Sequence, residues 1–482
     1  ILPALATPES DFKTWDSGFI SRATPGHWIQ SPAESWSATG LFTWEGSMKE
    51  GQVAVVAADP KERGIRVERL AKLPFTPAGL VTSMSDQELA SFAVPTALPV
   101  YRVSSNRRAL IDLAYLARRH FRGKVIGVTG TAGKTTTVGM IAHALTHLSG
   151  DVFSTKGNAN LPAGVAWNLC QVPWSTPYAV LELAIGSMAE NTRMARPDVA
   201  VVTNIGPSHL EFHGTTRNVA LKKARIFTGV PDGGAAVICL DTEHSDLLVK
   251  AAQTQGLRVL TYGFSQQATV WVERWDPVGG ELLLHTPKGM HTLRSGLEGK
   301  HMVLNTLACV AVGLALELDV DVFLSGLSNF SPVSGRGKVH DIAFHSKQIS
   351  LIDESYNANP VSMQASIELA GLLSTKSAAK RNVMILGDML ELGNDSDTLH
   401  RALEKVLIQQ KPDLVVLCGN LIRVLQEPLL AAGIAHVAVF SNVEDLTLVL
   451  AELLQDGDQV LVKGSHGTGL HRLVSLLTSS LG

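Results

Sequence analysis

The sequence predicts an α/β protein of three domains: a small mixed domain over residues 1–121, a central parallel-sheet domain over 122–336 and a Rossmann-like domain over 337–482. Three observations carry this expectation. The 482 residues exceed what one hydrophobic core usually organises. From about Lys124 onward, short Val- and Ile-rich runs alternate with amphipathic helical patterns, as crossover helices on both faces of a parallel sheet require. Between two such series lies PVSGRGKVHD, Pro332 to Asp341, with the Pro, Gly and Ser content of a linker.

Four of the eight tryptophans fall before residue 45, in a Pro- and Gly-punctuated stretch with little helical period. They read as core or interface residues of a mixed domain rather than ligand platforms. In the central region KVIGV, YAVLEL, VAVVTN and AAVICL are the strand candidates, and ISLID, VMILGD, LVVLCG and QVLVKG form the second set. The longest apolar run, Leu307 to Leu318, is broken by Glu317 and falls short of the roughly 20 residues a membrane span needs, so it reads as a buried helix.

A net charge of -3, from 41 basic and 44 acidic residues, provides no general field for nucleic acid. Cys170, Cys239, Cys309 and Cys418 lie far apart in apolar stretches, as buried free thiols in a reducing, cytoplasmic compartment would. ILPALATPESD lacks the basic start and long apolar stretch of a signal peptide. The chain opens with Ile1 rather than Met, which fits a trimmed protein or one part of a longer polypeptide.

The strongest local signal is GVTGTAGKTTT, Gly127 to Thr137, placed after the strand candidate KVIGV and before the helical pattern VGMIAHAL. At such a junction backbone N–H groups and the helix N-terminus face a phosphate, Lys134 reaches the outer phosphates and the Thr135 hydroxyl serves magnesium. The spacing departs from the common form at Val128, which stands in place of the first glycine.

TGTAGKTT resembles the nucleotide loop of the Mur ligases, enzymes that add amino acids to peptidoglycan precursors. The resemblance implies that Gly130, Thr131, Gly133, Lys134, Thr135 and Thr136 hold ATP. YAVLELAIG is similar to the family's strand ending in a magnesium-binding glutamate, here Glu182, and TNIGPSHLEFHG to its segment carrying Asn204 and a second magnesium ligand, His209. ALKKARIF resembles the segment whose lysine is carbamylated; Lys223 is the matching position, with Lys222 as a rival and Arg225 where an acidic residue is usual. KGNANLPAG is similar to the loop beside the reacting carboxylate, keeping Asn158 and Asn160 but with Leu161 for a second asparagine. EGKHMVLN matches the adenine segment through His301 and Asn305, with Met302 where an asparagine is usual, and Arg336 matches an arginine directed at the phosphates.

DESYNANPVSM, LGDMLELG with His400 beyond it, and LVKGSHGTG resemble the branch that attaches D-alanyl-D-alanine to a UDP-muramoyl tripeptide, His466 replacing an arginine. By that resemblance Asp353 faces the ribose, while Asn357, Asn359, Asp388 and Lys463 lie near the substrates. The resemblance begins near Lys124; in the first 121 residues the family's DSR and Pro-Gly-Asp pattern is not found. The implied reaction is ATP- and magnesium-dependent joining of a small-molecule acid and amine through an acyl phosphate. Three readings stand at this point: the tripeptide ligase, a paralogue joining another acid and amine in specialised metabolism or a multi-domain synthetase, and an inactive nucleotide-binding scaffold.

Overall fold

The computed structural model describes residues 15–92, 97–277, 279–294, 299–376 and 381–479. The signal-peptide reading of residues 1–11 and the outer limits of the first and last domains fall outside that range. Two compact units are present: Ile1–Gly127 with Asp151–Asp198 and Thr228–Pro231, and Val128–Gly150 with Val199–Phe227 and Asp232–Gly482.

In the first unit, strands follow the order Gly26–Gln30, Val100–Val103, Gly79–Thr82, Val53–Ala57 and Leu41–Phe42, with Ile65–Arg66 beside Val53–Ala57. Only Gly26–Gln30 runs antiparallel to its neighbour. Phe42, Ala54, Val56, Leu80 and Val100 form the core under one face. Each of the larger side chains, Phe42, Val56, Leu80 and Val100, contributes about 1.5–3 kcal/mol by leaving water. The helix Asn106–His120, capped by Ser105, buries Leu110, Leu113 and Ala117 and packs on Pro162–Gln171. Of the four early tryptophans, Trp15 is buried and stacked on Phe19, whereas Trp28 and Trp36 are half-buried, Trp28 packing edge-on to Trp36 and Tyr101. Trp44 differs: it is 44% exposed and leans on Trp167.

In the second unit, Val199–Val202, Ala235–Cys239 and Arg258–Gly263 are parallel neighbours. A three-stranded antiparallel extension follows, Val270–Asp276, Glu281–Thr286 and Gly289–Arg294. The helix Lys300–Ala315 is buried on nearly every side, which accounts for its unbroken apolar run. It packs with Lys134–Ser149 and Val320–Leu327.

The last sheet of this unit has the order Lys338–Phe344, Lys347–Glu354, Asp458–Lys463, Arg381–Gly387, Leu414–Cys418 and Val437–Phe440. All neighbours are parallel except the first pair. Val383 and Ile385 enter one core and Met384 and Leu386 the other, so the strands are buried on both faces. The second half of the expected linker is itself a strand: Lys338 to Asp341 pair with Asp353 to Ser350. Among the described residues, no helix is long and apolar enough to cross a membrane.

Candidate active site

The junction after Lys124–Thr129 is built around two glycines. Gly130 has φ +156°, and a Cβ there would lie 1.8 Å from Thr203 Oγ1; Gly133, at φ +76°, starts the helix Lys134–Ser149 with no side chain capping it. A helix N-terminus that follows a glycine turn in this way is the arrangement a phosphate site uses. Asn204 shapes the loop from the neighbouring strand end: its Oδ1 accepts from Ala132 N at 2.8 Å and its backbone O from Thr131 N at 3.0 Å. Thr203 Oγ1 donates to Ala132 O at 2.7 Å, a contribution the sequence reading did not single out.

Two lysines converge on this loop. Lys134 Nζ donates to Gly130 O at 3.0 Å and Thr131 O at 3.4 Å. Lys223, 2% exposed at the end of Thr216–Ala224, donates to Gly130 O at 2.7 Å. Lys222 points elsewhere, its Nζ 2.7 Å from His213 Nδ1. Burial, reinforced by the Lys222 charge, holds the His213 imidazole below its ordinary pKa. Asn305 is also buried, and its Oδ1 accepts from Thr137 Oγ1 at 3.2 Å. Burial likewise lowers the pKa of His301.

His209 is in the left-handed region, φ +52°, and its Nδ1 bonds Glu391 Oε2. Glu391 lies in the LGDMLELG segment, but its pairing with a residue 182 positions away left no local signal. Asn359 caps the helix Pro360–Lys376, taking Ser362 N on Oδ1 at 2.9 Å, and its Nδ2 lies 3.4 Å from Thr131 O.

At the C-terminal ends of the last sheet's strands, buried polar groups hold one another. Asp353 Oδ2 accepts from Ser334 Oγ at 2.7 Å and Gly335 N at 2.6 Å, while Oδ1 accepts from Ser355 Oγ at 2.6 Å. The Arg336 guanidinium sits 4.1 Å from the centre of the Tyr356 ring. Lys463, 1% exposed, donates to Asn357 O at 3.0 Å and Glu354 Oε2 at 3.3 Å. The Asp388 carboxylate accepts from the amides of Asn420, Leu421 and Ile422 at 3.1, 3.0 and 2.8 Å. His400 takes Met389 N on Nε2 at 3.0 Å and sets Nδ1 against Ser396 O at 2.7 Å, which fixes the Nδ1–H tautomer; burial holds its pKa below the ordinary value.

In the first unit, Glu182 ends the strand Tyr178–Glu182 and is 3% exposed. Its Oε1 accepts from Asn160 Nδ2 at 2.8 Å, and its backbone N donates to Thr155 Oγ1 at 2.8 Å. Asn158 is exposed. The loop carrying both asparagines is clasped by buried Asn168, which bonds Lys156 N, Ala159 O and Gly164 O, another residue the sequence did not mark.

A family model described as the Mur ligase middle domain matches residues 128–313, and one described as Mur ligase, glutamate ligase domain matches 336–466. The UDP-N-acetylmuramoyl-tripeptide--D-alanyl-D-alanine ligase of Bacillus subtilis is 32% identical over 391 residues, covering 79% of this chain and 81% of that protein. The chain belongs to the Mur ligase family. A crystal structure of MurF from Acinetobacter baumannii shares its fold with TM-score 0.80 at 24% identity, covering 97% of this chain and 99% of that one. MurF from Thermotoga maritima in complex with ADP gives 0.71 at 25% identity, over 91% and 96%. The likeness in fold thus reaches into the described part of the first 121 residues, where no family motif was found in the sequence.

Proposed function

We propose that this Mur ligase joins the amine of D-alanyl-D-alanine to the terminal carboxylate of UDP-N-acetylmuramoyl-tripeptide, using ATP and an acyl-phosphate intermediate. The activity for which the B. subtilis relative is named, matched over 81% of its length, supports the substrate pair. The observation that carries the phosphoryl chemistry is the glycine-built loop with its open helix start and Lys134 folded over it.

In the reaction a carboxylate oxygen attacks the γ-phosphorus and the bond to the β–γ bridging oxygen breaks, releasing ADP. Lys134 and the helix N-terminus behind it offset charge on the transferring group. The dipeptide nitrogen then attacks the acyl carbon, loses its proton, and phosphate leaves. We assign Gly130, Thr131, Gly133, Thr136, Asn305, Arg336 and Asp353 to the nucleotide, and Asn158, Asn160, Asn357, Asn359, Asp388 and Lys463 to the surroundings of the two other substrates. The functional division is 1–121 for the UDP-sugar, 122–336 for ATP and 337–482 for the amine, in the cytoplasm.

Magnesium suits the donors Thr135, Glu182 and His209. A hydroxyl, a carboxylate and an imidazole are few protein donors, as suits an ion that keeps water and phosphate oxygens. When bound, it neutralises phosphate charge.

The test is phosphate release with Mg-ATP, the UDP-tripeptide and D-alanyl-D-alanine, against reactions lacking either acceptor or donor. Release should need both. Release that needs neither, or none from protein shown to bind ATP, would overturn the substrate assignment. We also assign carbamylation to Lys223, whose burial against the loop supports it over Lys222. Lys223→Ala should lose most turnover and regain part of it with small carboxylic acids; rescue of Lys222→Ala instead would move the assignment.

A further inference from the structure

We infer that Glu391 is a positioning residue for His209, fixing the imidazole tautomer that leaves Nε2 free to bind a metal; the inference rests on the reading of His209 as a magnesium ligand. An ionised carboxylate can only accept, so the bond between His209 Nδ1 and Glu391 Oε2 places the ring proton on Nδ1. The lone pair is then on Nε2. Metal-binding histidines are commonly oriented this way by a carboxylate on the other ring nitrogen.

Backbone geometry says that this pairing is built. His209 and Glu391 both adopt left-handed conformations, φ +52° and +61°, which non-glycine residues rarely hold without compensation. The two segments also meet through the backbone: Glu211 N donates to Glu391 O at 3.4 Å, and a Cβ on Gly393 would lie 3.3 Å from Glu211 backbone.

The segment presenting Glu391 is fixed residue by residue. Asp388 is anchored through its carboxylate to three amides, and its backbone O accepts from Ser465 N at 3.0 Å. Met389 N donates to His400 Nε2, and Leu390 N donates to Ser465 Oγ, each at 3.0 Å. Asp388, His400 and Ser465, all in segments the sequence singled out, therefore serve as a frame that aims Glu391.

The full-length chain, labelled with ¹⁵N-histidine, reads the tautomer directly in long-range ¹H–¹⁵N spectra, the His209 signals being those lost in His209→Gln. Wild type should show Nδ1–H. Glu391→Ala should shift His209 toward Nε2–H, whereas Glu391→Gln, which keeps an acceptor oxygen, should retain Nδ1–H. Binding of Mn²⁺ in the presence of ADP, followed by water proton relaxation, should weaken about 10- to 100-fold in Glu391→Ala and far less in Glu391→Gln. An unchanged tautomer in Glu391→Ala overturns the positioning role. A shifted tautomer with unchanged Mn²⁺ affinity overturns its link to the metal. Unchanged Mn²⁺ affinity in His209→Gln would instead overturn the assignment of His209 as a ligand, and the spectra would still report what Glu391 does to the ring.

Discussion

Lys134→Ala is expected to lower kcat by about 10²- to 10³-fold, the loss typical of removing one preorganised donor from a charged transition state. The ammonium now rests on the carbonyls of Gly130 and Thr131, beside a helix start that no side chain caps. Charge on a transferring phosphoryl group spreads over its equatorial oxygens, and a compact cation with three donors can follow it. Alanine is the best helix former, so the start of Lys134–Ser149 should survive. Single-turnover phosphate release at saturating ATP, paired with thermal unfolding, checks this. A kcat within a few-fold of wild type would sink the phosphate role.

Asp388→Ala is expected to destabilise the protein by about 1–3 kcal/mol, because three backbone amides lose their acceptor and one of them, Ile422 N, is buried, where an unsatisfied donor costs about that much. Asp388 is 8% exposed and fits closely: a Cβ on Gly419, at φ +140°, would lie 2.3 Å from its carboxyl carbon. Asp388→Asn keeps one acceptor oxygen and should lose less. The urea midpoint, read beside the KM for D-alanyl-D-alanine, separates two roles. A raised KM at unchanged midpoint would make Asp388 an amine contact and not an anchor.

The parallel strands were legible because burial on both faces leaves continuous Val and Ile runs, as in VMIL and LVVLC. The antiparallel extension at Val270–Arg294 was not, since its strands mix apolar residues with Glu273 and Arg274 on exposed positions and His285 on a half-buried one. Lys338–Phe344 hid for a similar reason: an edge strand following Pro, Ser and Gly reads as linker. Within the site, the glycine-rich loop and Lys134 were legible as a junction between a strand pattern and a helix pattern, and the structure has Lys124–Thr129 and Lys134–Ser149 on either side. Lys222 and Lys223 could not be separated that way, because neighbours on a helix point about 100° apart and only packing shows which one turns inward. Glu391 was invisible as a partner of His209, and Asp388 as an anchor, because their bonds join segments distant in the chain.

The clasp at Asp353 makes Arg336 a passenger. Ser334 and Gly335 are bonded to the Asp353 carboxylate, Gly337 N to Asp353 O at 2.9 Å, and Tyr356 N to Gly335 O at 3.3 Å. On the other side, Phe330 packs edge-on to His143 of the helix that starts at Lys134. The arginine is thus held through its backbone neighbours to the end of the strand Lys347–Glu354, so a change at Ser334 or Asp353 would displace the guanidinium without touching it.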